Sequence, residues 1–106
     1  MAVDIRGYSV IDVVRLNAGS PQTFYTFSRF NDTTGSLCDA LMINNLGSNN
    51  VFVVLGSGTA LTTGGSTMML IPANGARSLD YRCGSLSIAS SGGNYNTEVE
   101  VIGLGV

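Results

Sequence analysis

The chain has 106 residues, the size of one domain, with five Arg, no Lys, no His, no Trp and a net charge of −2. Charged residues are only 11% of it, against about 25% in an average soluble domain, which excludes salt-bridged helical architectures. The scattered Arg6, Arg15, Arg29, Arg77 and Arg82 exclude a basic nucleic-acid surface, and the lack of His and Lys removes the usual catalytic bases and Schiff-base formers.

At the N-terminus, Asp4 and Arg6 interrupt the apolar run that an export signal needs, so synthesis in a cytoplasm is expected. Residues 1–7 read as an arm preceding a first strand at 8–16. Turn signals then arrive every 8–12 residues or so, the spacing of a sandwich or barrel. Asn17-Ala18-Gly19-Ser20-Pro21 separates the first strand from a second at 22–30, and Asn31-Asp32-Thr33-Thr34-Gly35 separates that from a third at 39–45. Residues 39–46 are the nearest thing to a helix, but the run is short and Gly47 ends it.

Gly47-Ser48-Asn49-Asn50 leads to a fourth strand at 50–56, and its apolar run Val51–Leu55 is far too short to span a bilayer. No membrane contact is expected. Gly56-Ser57-Gly58 and Gly64-Gly65-Ser66 precede a fifth strand at 66–71. Pro72-Ala73-Asn74-Gly75 is a specific turn signal, with Pro suited to the first central position and Asn-Gly tolerant of positive φ. Strands at 77–82 and 85–90 follow. Gly92-Gly93-Asn94 then reads as a tight hairpin into a last strand at 95–102. The expected fold is one all-β domain, an antiparallel two-sheet sandwich of about eight strands.

The two halves pattern differently. In the last three strands Leu79, Tyr81 and Cys83 alternate with Ser78, Asp80 and Arg82; Leu86 and Ile88 alternate with Ser85, Ser87 and Ala89. Tyr95, Val99 and Val101 alternate with Asn96, Glu98 and Glu100. Each of these strands should have one buried and one wetted face. The earlier strands carry apolar groups on both faces: Val10, Ile11, Val13, Val14 and Leu16; then Phe24, Tyr25, Phe27 and Phe30. Val51–Leu55 and Met68-Met69-Leu70-Ile71 repeat the pattern. With no helix to cover an outer face, such surface should meet another copy or a larger partner, unless the N-terminal arm or long loops tuck over it.

No motif carries chemistry. Glu98 and Glu100 share a strand face, suitable for a carboxylate pair or a metal, but their alternation with valines is that of a solvated face. Asp80 and Arg82 read as a surface ion pair. Residues 31–35 offer oxygen ligands without the spacing of a calcium loop, and Gly56-Ser57-Gly58 lacks the Lys of a phosphate loop. Cys38 and Cys83 admit one disulfide or, without an export signal, two buried thiols. No enzyme activity, cofactor or metal is expected. The aromatic cluster Phe24, Tyr25, Phe27 and Phe30 is read as an oligomer or shell contact rather than a sugar platform.

Residues 41–101 carry a resemblance. Leu41-Met42-Ile43-Asn44-Asn45, then Asn50 to Gly56, a Gly/Ser/Thr-rich loop, Pro72-Ala73-Asn74-Gly75 and Arg77-Ser78-Leu79-Asp80 follow in order. Ile88-Ala89-Ser90-Ser91-Gly92-Gly93 then leads into Glu98-Val99-Glu100-Val101. This resembles the small jelly-roll capsid cement (decoration) proteins of tailed bacteriophages. The resemblance implies a jelly-roll sandwich that binds itself as a dimer or trimer, attaches to the major capsid protein lattice and reinforces the virion shell. Cys38, Cys83 and Met68-Met69 have no counterpart in that pattern. The alternative is a carbohydrate- or receptor-binding sandwich of a fibre tip or lectin.

Overall fold

Eight strands form two antiparallel sheets of four in the computed structural model, which describes residues 8–18, 22–27, 38–56, 60, 68–91 and 97–105. They are β1 (Ser9–Ala18), β2 (Thr23–Thr26), β3 (Ala40–Asn45), β4 (Val51–Leu55), β5 (Met69–Ile71), β6 (Ala76–Leu79), β7 (Ser85–Ser90) and β8 (Thr97–Gly105). One sheet has the order β1-β8-β3-β6 and the other β2-β7-β4-β5. Among the described strands only β4 and β5 are consecutive strands of one sheet, and every other pair of consecutive strands lies in opposite sheets. This is the jelly-roll arrangement.

The inner faces follow from period-two alternation. Leu41, Ile43, Val99 and Val101 of the first sheet meet Val51, Val53, Ile71, Leu86 and Ile88 of the second, all essentially inaccessible to water. At about 25 cal/mol per Å² of apolar surface removed from water, this shared layer is the main favourable contribution to folding. Residues 39–46, the nearest helical candidate, belong instead to β3 and the turn after it. Ala40 and Met42 are buried on one face and Leu41 and Ile43 on the other, a central-strand pattern with no 3.6-residue period.

Three local expectations are corrected. First, β7 and β8 are not hairpin partners: β7 pairs with β2 and β4 while β8 pairs with β1 and β3, and residues 92–94 themselves lie outside the described residues. The buried Ser90 and Thr97 hydroxyls, 2.9 Å apart, hydrogen-bond where the chain changes sheet. Second, Pro72 opens its turn instead of filling the first central position. The Gly75 N–H donates to the Pro72 carbonyl at 2.8 Å, with Ala73 and Asn74 central and Asn74 at φ 58°. A Cβ on Gly75 would lie 3.0 Å from the Pro72 carbonyl oxygen.

Third, β7 is not wetted at Ser87 and Ala89, and only Ser85 on that face is half-exposed. Ser87 and Ala89 are as inaccessible as Leu86 and Ile88, because β7 is a central strand flanked by larger side chains on both sides. Tyr81 also departs from its expected inward position and is exposed. Leu41 pairs with Leu79 and Cys38 with Cys83, three steps along one strand against four along the other. The extra residue breaks the alternation.

One end of the sandwich is a polar corner. The buried Asn45 amide of β3 donates to the Asn49 carbonyl at 2.7 Å and to the Ile71 carbonyl of the opposite sheet at 3.2 Å. Its side-chain oxygen accepts from the Gly47 N–H at 3.0 Å. Asn49 donates to the Thr97 hydroxyl at 3.3 Å, and Asn74 N–H to the Gly47 carbonyl at 3.2 Å. The crossings β3–β4, β5–β6 and β7–β8 are thus tied together by the Asn45 and Asn49 side chains and the Gly47 carbonyl. Gly47 permits the close approach, since a Cβ there would meet Thr97 Cγ2 at 2.8 Å. Among the described residues no buried side-chain nitrogen or oxygen lacks a partner.

Asn45→Ala leaves two carbonyls and one N–H without this partner in a buried place. We expect it to lower unfolding free energy by about 2–3 kcal/mol, read from urea denaturation, with an unchanged m-value.

Candidate functional site

Two regions concentrate the side chains singled out in the sequence: the outer face of the sheet containing β2, and the interior of the end opposite Asn45.

The outer face is set by register. Phe24 of β2 pairs with Ser87 of β7, which pairs with Val54 of β4. Ala89 of β7 pairs with Phe52 of β4, which pairs with Leu70 of β5. Directly paired residues share a face. The alternate positions, Tyr25, Leu86, Ile88, Val53 and Met69, pack in the core, so these six face outward. None is charged, and Thr26 and Ser85 continue the face without charge. Phe24 is 52% exposed and Leu70 39%, while Phe52 and Val54 are half-buried. The small Ser87 and Ala89 lie between these taller neighbours.

The other sheet's outer face is graded. At one end Val10 and Ala40 flank Leu104, and Val13 and Met42 flank Ile102. Tyr8 packs against this group and its hydroxyl donates to Asp80 at 3.3 Å. At the other end Arg15 and Asn44 flank Glu100, with Asn44 donating to Glu100 at 3.0 Å and Arg15 lying 3.7 Å from Glu98. Glu98 and Glu100 therefore do share a face, the outward one expected, and there they meet cationic and amide partners. Arg82 lies 3.8 Å from Asp39. Among the described residues no three His, Cys, Asp or Glu side chains converge to hold a metal.

The aromatic cluster divides. Phe24 lies on the outer face; Tyr25 is half-buried over the β1 side; Phe27 is wholly buried in the core. Phe30 lies outside the described residues. Phe27 is accordingly withdrawn from the contact set: two positions past Tyr25 on the inward side, it packs edge-on against the Tyr25 ring, centroids 5.5 Å apart. Sequence reasoning did not single out Phe52, Val54 and Leu70 as contacts with Phe24. The two-sided apolar runs held the signal, but only the pairing register puts them on one face.

The second region begins with a bulge. Pairing of β1 with β8 slips between Val10 and Asp12, and both Ile11 and Asp12 become buried. Asp12 accepts a hydrogen bond from the Tyr25 hydroxyl across the sandwich edge. With Thr23 donating to the Asn17 carbonyl at 2.6 Å, this laces the edge strands β1 and β2 together. Opposite Asp12 is Gly103, whose missing Cβ would lie 3.3 Å from the Phe27 ring and 3.5 Å from Cys38 Cβ. Burial, then the hydrogen bond to Asp12 and its charge, push the Tyr25 phenol up to about 12.

Cys38 and Cys83 complete this end. They face each other in an isolated antiparallel bridge and exchange backbone hydrogen bonds of 2.9 and 3.1 Å. Both are free, buried thiols, with sulfurs 3.9 Å apart and the Cys38 thiol 3.2 Å from the Cys83 carbonyl. The hydrogen bond with Cys38, then burial, hold the Cys83 thiol well above its ordinary value. The same bond from Cys83 holds Cys38 below its own.

No family profile matches the chain, and no curated protein matches it as a relative.

The raised Tyr25 value sets a pH dependence. The proton bound more tightly in the folded state contributes stability that is whole below pH 10.0, the unperturbed value, and is lost as pH rises toward about 12. Thermal melts across that window should show a falling limb. Tyr25→Phe should start less stable and lose that part of the slope.

Proposed function

We propose that this chain is a non-catalytic structural protein that acts by association: it binds copies of itself and a larger protein lattice through the uncharged outer face of β2, β7, β4 and β5. The observation that carries this reading is the row of Phe24, Phe52, Val54 and Leu70 on one sheet face without a charged residue among them. Burying one large apolar side chain fully contributes roughly 1.5–3 kcal/mol before the costs of association. Four together give a patch of useful but modest affinity. Repeated over a shell, modest sites hold firmly through multivalency.

Two further considerations support a virion setting. Jelly rolls recur in viral capsid proteins, an argument by analogy of fold, and residues 41–101 resemble capsid decoration proteins of tailed bacteriophages. The reading is therefore a cement protein on the outer surface of a capsid, made in the host cytoplasm, with the major capsid protein as partner. Neither nucleic acid nor membrane is a partner in this reading. The charge of −2 adds little repulsion between copies.

Phe24→Asp tests the face, because a side chain already half in solvent can be replaced at small cost to the fold. The variant should keep its melting temperature within a few degrees. Its solution mass should fall toward the monomer by light scattering, and co-sedimentation with undecorated capsids should weaken at least about tenfold, the equivalent of ~1.4 kcal/mol. Unchanged mass and unchanged capsid binding would sink the assignment. Specific glycan binding by the free protein would replace it with the lectin reading.

A further inference from the structure

We propose that Cys38 and Cys83 form an oxidation site, at which a small hydroperoxide converts two buried thiols into one intrachain disulfide without displacing the backbone. The site does not depend on the association proposed above.

The geometry is already that of a cross-linkable pair. An antiparallel pair exchanging both backbone hydrogen bonds holds its Cα atoms about 5.5 Å apart, inside the 4.4–6.8 Å range that disulfides occupy. Cys38 and Cys83 exchange both such bonds. Their sulfurs, at 3.9 Å, have only to swing together to the bonded distance of about 2.05 Å. The partners are 45 positions apart in sequence and lie in the core cluster with Phe27 and Ile11.

Their place in the fold gives the cross-link a consequence. Cys38 leads into β3 of one sheet, and Cys83 leads, two residues on, into β7 of the other. Gly84 between them accepts the Phe27 N–H at 2.8 Å, so β2 is tied to the same point. A bond here pins the β6–β7 crossing to the start of β3, at the end that lacks the Asn45 network. The oxidised chain would be fastened at both ends.

The chemistry balances with one hydroperoxide. One cysteine sulfur attacks a peroxide oxygen; the S–O bond forms, the O–O bond breaks, and the leaving hydroxide takes the thiol proton as water. The second sulfur attacks the sulfenic sulfur; the S–S bond forms, the S–O bond breaks, and a second water leaves with the remaining thiol proton. Two thiols are oxidised by two electrons in all and one hydrogen peroxide is reduced to two waters. Cys83 is 6% exposed against none for Cys38, which favours a small oxidant over a bulky disulfide.

The test uses the whole native chain, reduced and then treated with hydrogen peroxide near neutral pH. We expect intact mass to fall by two hydrogens, a Cys38–Cys83 peptide to appear on non-reducing digestion, and the melting temperature to rise by roughly 10 °C. Dithiothreitol should reverse all three. Cys38→Ser and Cys83→Ala should each abolish the rise. Retention of both thiols in the native protein, oxidation confined to the denatured chain, a sulfinic acid at one cysteine, covalent dimers, or a lowered melting temperature would each overturn the proposal. The wild-type measurement decides the matter even where a variant fails to fold.

Discussion

Sheet crossing is the constraint on which the rest of this molecule depends. Because among the described strands only β4 and β5 follow each other within a sheet, almost every described strand is placed by a connection that spans the sandwich. Each crossing takes backbone groups past an apolar core, and buried groups of that kind must find partners. At one end they find them through Asn45, a single buried side chain that bonds the β3–β4 turn twice and the end of β5 in the opposite sheet once. A hydrophobic residue of the same size would fill the space and leave those groups unpaired. That is costlier than the loss of any one hydrogen bond suggests.

The sides of the sandwich face a related problem, since a free sheet edge invites pairing with other chains. On one side β1 and β2 are laced through Tyr25 to Asp12 and Thr23 to the Asn17 carbonyl. On the other, Arg77 of β6 donates to the Leu70 carbonyl of β5 at 3.0 Å. Each tie joins an edge of one sheet to an edge of the other. Among the described residues, then, the ends and sides are built to close the molecule on itself. The outer face around Phe24 is built otherwise: it is apolar, uncharged and half in water.

How much of this was legible in the sequence follows from which forces are local. All eight strands were, because β-branched and aromatic runs between turn residues report their own conformation. Their arrangement was less so. Gly92-Gly93-Asn94 has the composition of a hairpin, yet composition carries no information on which sheet the next strand joins. Ser87 and Ala89 are small and one is polar, so alternation gave them to solvent, although their central position buries them. Tyr81 was misplaced by one inserted residue, and Phe27 looked like Phe24 until register put it on the opposite face. Cys38 and Cys83 admitted a disulfide or two separate buried thiols, and only tertiary structure, which brings together positions 45 apart, shows that the two free thiols face each other.

The small residues of β7 bear on how the exposed face would work. Ser87 stands between Phe24 and Val54, and Ala89 lies beside Phe52. A larger residue at either position would lift the aromatics apart and make the face uneven. As it is, the apolar side chains rise from adjoining strands of a hydrogen-bonded sheet, with β7 and β4 at its centre. A surface held in this way loses little backbone freedom on binding, so more of its apolar burial survives as affinity. Short strands without a helical layer can therefore present a preorganised patch. At the centre of this face the small Ser87 and Ala89 lie fully buried between Phe24, Phe52 and Val54.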